Sequence, residues 1–337
     1  MSLTLISPHV SWRENSEWES YEAIAFTFPG QGSQAVGMGK ALADAFPSAR
    51  AVFDEVDAAL SQKLSALMWG GPEANLTLTT NAQPALMSVS MAVVAVLKAE
   101  HGITVANTVK FVGGHSLGEY SALAAAGTFS LSDTARLLRI RGKAMQAATP
   151  VGVGAMAAIL GLDFADVVAL ANEAAQGDVC QAANDNSNGQ VVISGHKAAV
   201  DRACELAKAK GAKRAILLPV SAPFHCALMQ PAADAMAEAL LTATMNVPSV
   251  PLVANVVAGP ISDVAEIRKR LVEQVTGTVR WRECVGFMAG HGVKLFCEVG
   301  AGKVLTGLLK KNAPEAQGLA LGTPDDITAA VAQLKQG

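Results

Sequence analysis

Ser116 lies in Gly114-His115-Ser116-Leu117-Gly118, a Gly-x-Ser-x-Gly pattern that follows an apolar stretch and precedes a run of small residues. A strand before that pattern and a helix after it make a nucleophile elbow. The chain turns too sharply for a side chain at either glycine, and the hydroxyl is lifted clear at a helix N-terminus. There the helix dipole and the N–H of Leu117 can stabilise an oxyanion, so the chemistry offered is acyl transfer through a serine ester. A bare match also describes a Gly-rich turn with a capping serine; the flanking strand and helix favour catalysis.

A serine nucleophile needs a base. The chain has six histidines. His9 falls in an N-terminal extension, 1–22, that stands apart from the fold. His101 and His291 each precede a glycine at a helix end, and His196 opens a helix, so all three read as caps. His115 adjoins Ser116, but neighbours at a sharp turn point apart. By elimination the base is His225, in Pro223-Phe224-His225-Cys226, a loop between a strand and a helix where catalytic groups of α/β folds gather. Cys226 is a rival nucleophile without an elbow around it.

A third residue stands out by its misplacement. In the helix after Ser130, Thr134, Leu137, Leu138, Ala144, Met145 and Ala148 recur at helical spacing as an apolar stripe, and Arg141 falls inside it. Arg136, Arg139 and Lys143 lie on the other side. A buried guanidinium must be paired, because desolvating it alone costs several kcal/mol. Two readings fit: a structural ion pair with an Asp or Glu, or a socket for a substrate carboxylate held by two hydrogen bonds.

The elements that must position these groups alternate between strand and helix, which indicates an α/β sheet covered on both faces. Strands are expected at 23–28 and 108–113. Helices are expected at 38–46, 49–60, 83–101, 117–126 and 131–148, the last opened by a capping box of Ser130 with Asp133. From 149 to 219 the order changes to strand 154–162, helix 165–175, strands 179–183 and 190–194, helix 197–210 and strand 214–220. That is the split βαβ, or ferredoxin-like, order. The organisation expected is therefore a catalytic domain of 23–148 and 220–337, with a ferredoxin-like (βαββαβ) small domain, 149–219, inserted into it.

Composition removes several classes. With 51% hydrophobic and 16% charged residues the chain is a folded globular protein, and its net charge of −3 asks for no nucleic acid and no anionic membrane. The apolar run 85–97 is shorter than the ~20 residues a bilayer span needs and reads as a buried helix. Residues 1–22 lack the basic start and apolar middle of a secretion signal. The five cysteines form no C-x-x-C pair, which suits reduced thiols in the cytoplasm. The histidines show no metal-ligand spacing, so no metal is expected.

Taken together, Phe28-Pro29-Gly30-Gln31-Gly32-Ser33-Gln34, the Ser116 elbow, Arg141 and Pro223-Phe224-His225 resemble the malonyl-CoA:acyl carrier protein transacylase family of bacterial fatty acid synthesis. Gln83-Pro84-Ala85-Leu86, Asn184 to Asn188 with Gly189-Gln190-Val191-Val192, and Glu298-Val299-Gly300 extend the likeness from about residue 24 to 312 in order and spacing. The resemblance implies an α/β-hydrolase-like large domain. It implies that Ser116 attacks a thioester with His225 as base and then acid, and that Gln31 and Leu117 give backbone N–H groups to the oxyanion. Arg141 is implied to bind the malonyl carboxylate and Gln274 to hold His225 or a site water. Asn184 is implied to face the cleft from the inserted domain, and Phe224 to favour malonyl over methylmalonyl.

The function so implied is ping-pong malonyl transfer from malonyl-CoA to the phosphopantetheine thiol of acyl carrier protein, by a cytoplasmic monomer without cofactor. A basic entrance for the acidic carrier would come from Lys208, Lys210, Lys213 and Arg214, from Lys310 and Lys311, or from Arg268, Lys269 and Arg270. The alternatives are a related acyltransferase with another acyl preference (methylmalonyl, polyketide type), a serine thioesterase or esterase with an acidic triad partner, and a non-catalytic binding module.

Overall fold

The computed structural model describes residues 23–220 and 222–335; the expected extension 1–22, with His9, lies outside the described residues. The ten strands of the described residues are β1 (Ala23–Phe28), β2 (Phe111–Gly114), β3 (Gly154–Leu160), β4 (Cys180–Ser187), β5 (Gln190–His196), β6 (Arg214–Leu217), β7 (Leu252–Ala254), β8 (Gly259–Ile261), β9 (Val293–Val299) and β10 (Gln317–Leu321). They form two sheets.

The larger sheet has the order β10-β9-β1-β2-β7-β8, parallel except for β8, which returns antiparallel on the edge. Its central strands read as continuous apolar runs because both faces are covered, as parallel sheets require. One face packs on the helices Pro47–Leu60, Thr79–His101 and Leu131–Ala147, through residues such as Phe26, Phe28, Leu86 and Leu138. The other packs on Trp281–Gly290 and Val304–Asn312, through Trp281, Met288, Phe296 and Leu308.

The smaller sheet has the order β4-β5-β3-β6 and is antiparallel throughout. The helices Phe164–Ala175 and Lys197–Ala209 close over it and bury a separate core around Ile159, Leu170, Ile193 and Val200. The end of β4 is tied to the larger sheet's side: Asp185 N–H donates to Val279 O (2.9 Å), and the buried Asp185 carboxylate pairs with Arg282 (2.8 Å).

Several expectations need correcting. The strand before the elbow begins at Phe111, not at 108, because Thr104 and Asn107 form a capping box that makes Val105–Thr108 helical. At Ser130 only half of the expected box forms. Its hydroxyl accepts from Asp133 N–H, but the short Asp133 carboxylate accepts from that hydroxyl rather than reaching back to the backbone. His196 does not cap its own helix; its Nδ1 accepts from Val179 N–H (2.9 Å). β4 runs on to Ser187, and β6 stops at Leu217.

The helix around the apolar run is also longer than the run. Thr79–His101 is long and apolar enough to cross a membrane, but 72% of that window is buried inside the protein, where it forms the central helix. Gly142 lets the Arg141 helix approach it closely, since a Cβ there would lie 2.7 Å from Thr79 O.

Candidate active site

The elbow is built as its residue types require. β2 ends at Gly114 and a helix begins at Gly118. A Cβ on Gly114 would overlap the carbonyl of Gly118, and one on Gly118 would overlap that of Phe28. Between them Ser116 takes φ 55°, a left-handed conformation that costs a non-glycine residue roughly 1–2 kcal/mol. The conformation is held from outside: Ser116 N–H donates to Asn255 Oδ1 (2.9 Å).

His225 reaches the serine from the loop that follows β6, also with positive φ, 57°. Its Nε2 is 2.7 Å from Ser116 Oγ, and its Nδ1 is 2.8 Å from the backbone carbonyl of Gln274. A carbonyl can only accept, so Nδ1 carries the proton and Nε2 is free to take one from the hydroxyl. A carbonyl, not a carboxylate, therefore orients the base. Burial, and after it the Arg141 cation, pull the imidazole pKa down to about 3, so it stays neutral over the working range. The single-turnover acylation rate should accordingly stay level as pH falls from 8 through 6.5 to 5. A decline with a midpoint near 6.5 would show an imidazole free to ionise.

Arg141 is 1% exposed. Its partners are neutral: Nη1 donates to Gln83 Oε1 (2.8 Å), and Nη2 to Gln274 Oε1 (2.7 Å) and to Ser116 Oγ (3.2 Å). Nε has no partner among the described residues. Among the described residues no carboxylate pairs with it, so the structural ion pair is absent there and the guanidinium keeps its charge beside the nucleophile. The nearest acid in this network is Glu119, 1% exposed, whose carboxylate accepts from Asn255 N–H and from Gln274 Nε2. Burial raises it to about 8 against those bonds and the Arg141 charge.

These groups open into a cleft of about 540 Å³ between the two sheets. Gln31, Leu117, Asn184 and Phe224 line it with Ser116, Arg141 and His225. Asn184 contributes from β4, on the smaller sheet's side. Gln31 Oε1 accepts from Thr79 Oγ1 (2.8 Å), which in turn accepts from Gln83 Nε2 (2.9 Å), so the loop carrying Gln31 is wired to Arg141. Gln274 acts twice: its carbonyl holds His225 while its side chain holds Arg141. It does not line the cleft, being wholly buried beneath it. His115 points away from Ser116 as expected, and donates from Nε2 to Asn186 Oδ1 (2.8 Å). Cys226 is buried, its thiol donates to Pro223 O (3.2 Å), and burial raises its pKa, which removes it as a nucleophile.

The chain that carries this elbow serine, carbonyl-oriented histidine and buried arginine is similar to known proteins along most of its length. The acyl transferase domain family matches residues 25–323. The malonyl CoA-acyl carrier protein transacylase of Escherichia coli strain K12 is 48% identical over 91% of this chain and 98% of its own length. That of Bacillus subtilis strain 168 is 46% identical over 93% and 98%. The chain belongs to the malonyl-CoA:acyl carrier protein transacylase family. Among solved structures, the acyl-carrier-protein-S-malonyltransferase of Bartonella henselae is 58% identical with a TM-score of 0.91, over 93% of this chain and 99% of that one. A malonyl-transacylase solved with its type II polyketide acyl carrier protein is 43% identical with a TM-score of 0.89, over 92% and 99%.

Three residues of this acyltransferase site had no role assigned from sequence: Gln83, which entered only within the Gln83–Leu86 segment of the resemblance, Glu119 and Asn255. Two left a signal of the kind that revealed Arg141. Gln83 is a polar residue inside the most apolar helix, and Glu119 an acid among small residues just after the elbow. Asn255 left none, since an asparagine after a short strand reads as an ordinary turn. Arg139 was also misplaced. It is half-buried and donates to Asn81 Oδ1 (3.0 Å).

Of the basic runs, Lys208 and Lys210 are paired with Glu205 and Glu173, and Arg270 with Glu266 and Glu273. Lys310 and Lys311 are exposed at the end of Val304–Asn312, where Asn312 Nδ2 donates to the carbonyl of the cleft residue Asn186 (2.9 Å).

Proposed function

We propose that this acyltransferase moves a malonyl group from malonyl-CoA to the phosphopantetheine thiol of acyl carrier protein through an ester on Ser116. The observation that carries the reading is Arg141, buried and without a carboxylate partner among the described residues, with Nη2 3.2 Å from the nucleophilic oxygen. An acyl group ending in a carboxylate two carbons from the attacked carbonyl brings its charge to that guanidinium. An ordinary esterase has no use for such a group.

In the first half-reaction His225 Nε2 takes the Ser116 proton as Oγ attacks the thioester carbonyl. The oxyanion is held by the backbone N–H groups of Gln31 and Leu117, where one such donor is worth about 3–4 kcal/mol. The tetrahedral adduct collapses, the C–S bond breaks, and His225 returns its proton to the departing CoA thiolate. The second half-reaction runs these steps in reverse with the carrier's thiol. No step calls for a metal or cofactor. A histidine held by the Gln274 carbonyl rather than by a carboxylate suits an ester that must survive until a thiol arrives.

The same reading gives the body around the larger sheet, 23–148 and 220–337, an α/β-hydrolase-like character. It makes the insertion, 149–219, ferredoxin-like. Supporting it are the elbow after a central parallel strand, and the β-α-β-β-α-β succession with strand order β4-β5-β3-β6. Phe224, 8% exposed on the cleft wall, is assigned to exclusion of a branched methylmalonyl group.

The test is mass spectrometry of the Ser116 peptide after incubation with malonyl-CoA or acetyl-CoA. A malonyl adduct that persists in buffer, is cleared by holo acyl carrier protein and is missing from Ser116→Ala is expected. Rapid hydrolysis without carrier would instead indicate a thioesterase. With Lys310→Glu and Lys311→Glu together, the adduct should form normally but be cleared slowly, because those lysines are assigned to the acidic carrier. Unchanged clearance would remove them from that role.

A further inference from the structure

We infer that Asn255 is a positioning residue that holds the nucleophile elbow by standing in for a missing peptide unit. β7 pairs with β2 through Val112–Leu252 and Gly113–Val253, and its ladder ends where β2 bends into the elbow. Asn255 is the next residue after β7, and its side-chain amide takes over at that point. Nδ2 donates to Gly114 O (2.7 Å) and Oδ1 accepts from Ser116 N–H (2.9 Å), so one amide brackets His115 and clamps the backbone on both sides of it. One donor and one acceptor at that spacing are what a neighbouring strand's peptide would have offered.

The clamp is itself held. Asn255 is wholly buried, its N–H donates to the Glu119 carboxylate, and its carbonyl accepts from Arg280 N–H (3.1 Å). Gln274 Nε2 lies 3.3 Å from Oδ1 and also donates to Ser116 O (2.8 Å). Asn255 does not line the cleft. It acts through the backbone that fixes where Ser116 Oγ points. This role rests on the proposed Ser116 ester and adds to it the residue that keeps the left-handed serine in place.

The experiment is single-turnover acylation by malonyl-CoA, with the dissociation constant for CoA and the melting temperature measured on the same proteins. Asn255→Ala is expected to slow acylation about 100-fold, the scale of an ångström-sized misplacement of a reacting group, with CoA affinity near the wild-type value. Asn255→Asp supplies the decisive readout. Ionised, its carboxyl cannot donate to Gly114 O; protonated, it restores one donor and one acceptor in nearly the same shape.

Its acylation rate relative to wild type should therefore rise as pH is lowered from 8 to 5.5. The charged or titratable groups against Asn255 are Glu119, Arg280 and Cys284, with Arg141 and His225 reaching it through Gln274; all are present in the wild-type control. Acylation of Asn255→Ala at the wild-type rate would overturn the proposal. So would a ratio for Asn255→Asp that stays constant with pH. If Asn255→Ala does not fold, the Asn255→Asp ratio decides alone. Failure of wild-type enzyme to form any adduct would instead strike at the ester on Ser116, and so separates the two readings.

Discussion

Arg141→Ala is expected to lower kcat/KM for malonyl-CoA by about 10²–10³-fold and to leave acetyl transfer at or above its wild-type level. A charge-assisted hydrogen bond to a carboxylate contributes roughly 1.5–3 kcal/mol, and a guanidinium can offer two in parallel. Losing such a pair removes about 3–4 kcal/mol, at 1.36 kcal/mol per factor of ten. Acetyl-CoA has the opposite account. It leaves a cation that is already desolvated, 1% exposed, without a carboxylate, and removing that cation removes the penalty. Competition assays with both thioesters would measure the ratio directly, and equal loss of both activities would contradict the assignment. A second signature follows from charge. The Arg141 cation is, after burial, the next cause of the low His225 pKa, so its removal favours imidazolium and should move the acid limb of the rate profile upward.

His225→Ala should slow formation of the Ser116 ester by about 10³–10⁴-fold, near the upper end of what a general base contributes. The hydroxyl, at 2.7 Å from Nε2, has no other neutral base in contact among the described residues. His115, the nearest alternative in sequence, is bonded to Asn186 and pushed below its ordinary pKa by burial. Malonyl-CoA binding should survive, because Arg141 keeps its Gln83 and Gln274 partners. Burst kinetics would separate the two effects. A variant that binds weakly but acylates at the normal rate would show that His225 serves binding and not proton transfer.

The two predictions rest on parts of the molecule that were unequally visible beforehand. The elbow is local: two glycines, a serine, a strand before and a helix after are written within a dozen residues, and steric exclusion at Gly114 and Gly118 follows from their types alone. Arg141 was visible as a charge in an apolar stripe, because the helical period places it against the core whatever the core contains. The β-α-β-β-α-β order of residues 154–217 was likewise legible from periodicity. What periodicity could not say was the choice between an ion pair and an open socket at Arg141. That depends on whether a carboxylate comes close from elsewhere in the chain. The answer is that two amides come instead, from Gln83 and Gln274, 58 and 133 residues away.

Long-range closure decided the rest as well. Ser116 and His225 are 109 residues apart, and the carbonyl that orients the histidine is another 49 residues on. Asn255, which clamps the elbow from 139 residues away, directly follows a strand of three residues with no pattern of its own. Side-chain period and turn chemistry are properties of neighbours in the chain, so a single sequence displays them. Which carbonyl, amide or acid meets a given side chain is a property of sheet order and helix packing, and it exists only once β7 has paired with β2 and the Gln274 helix has closed beneath Ser116.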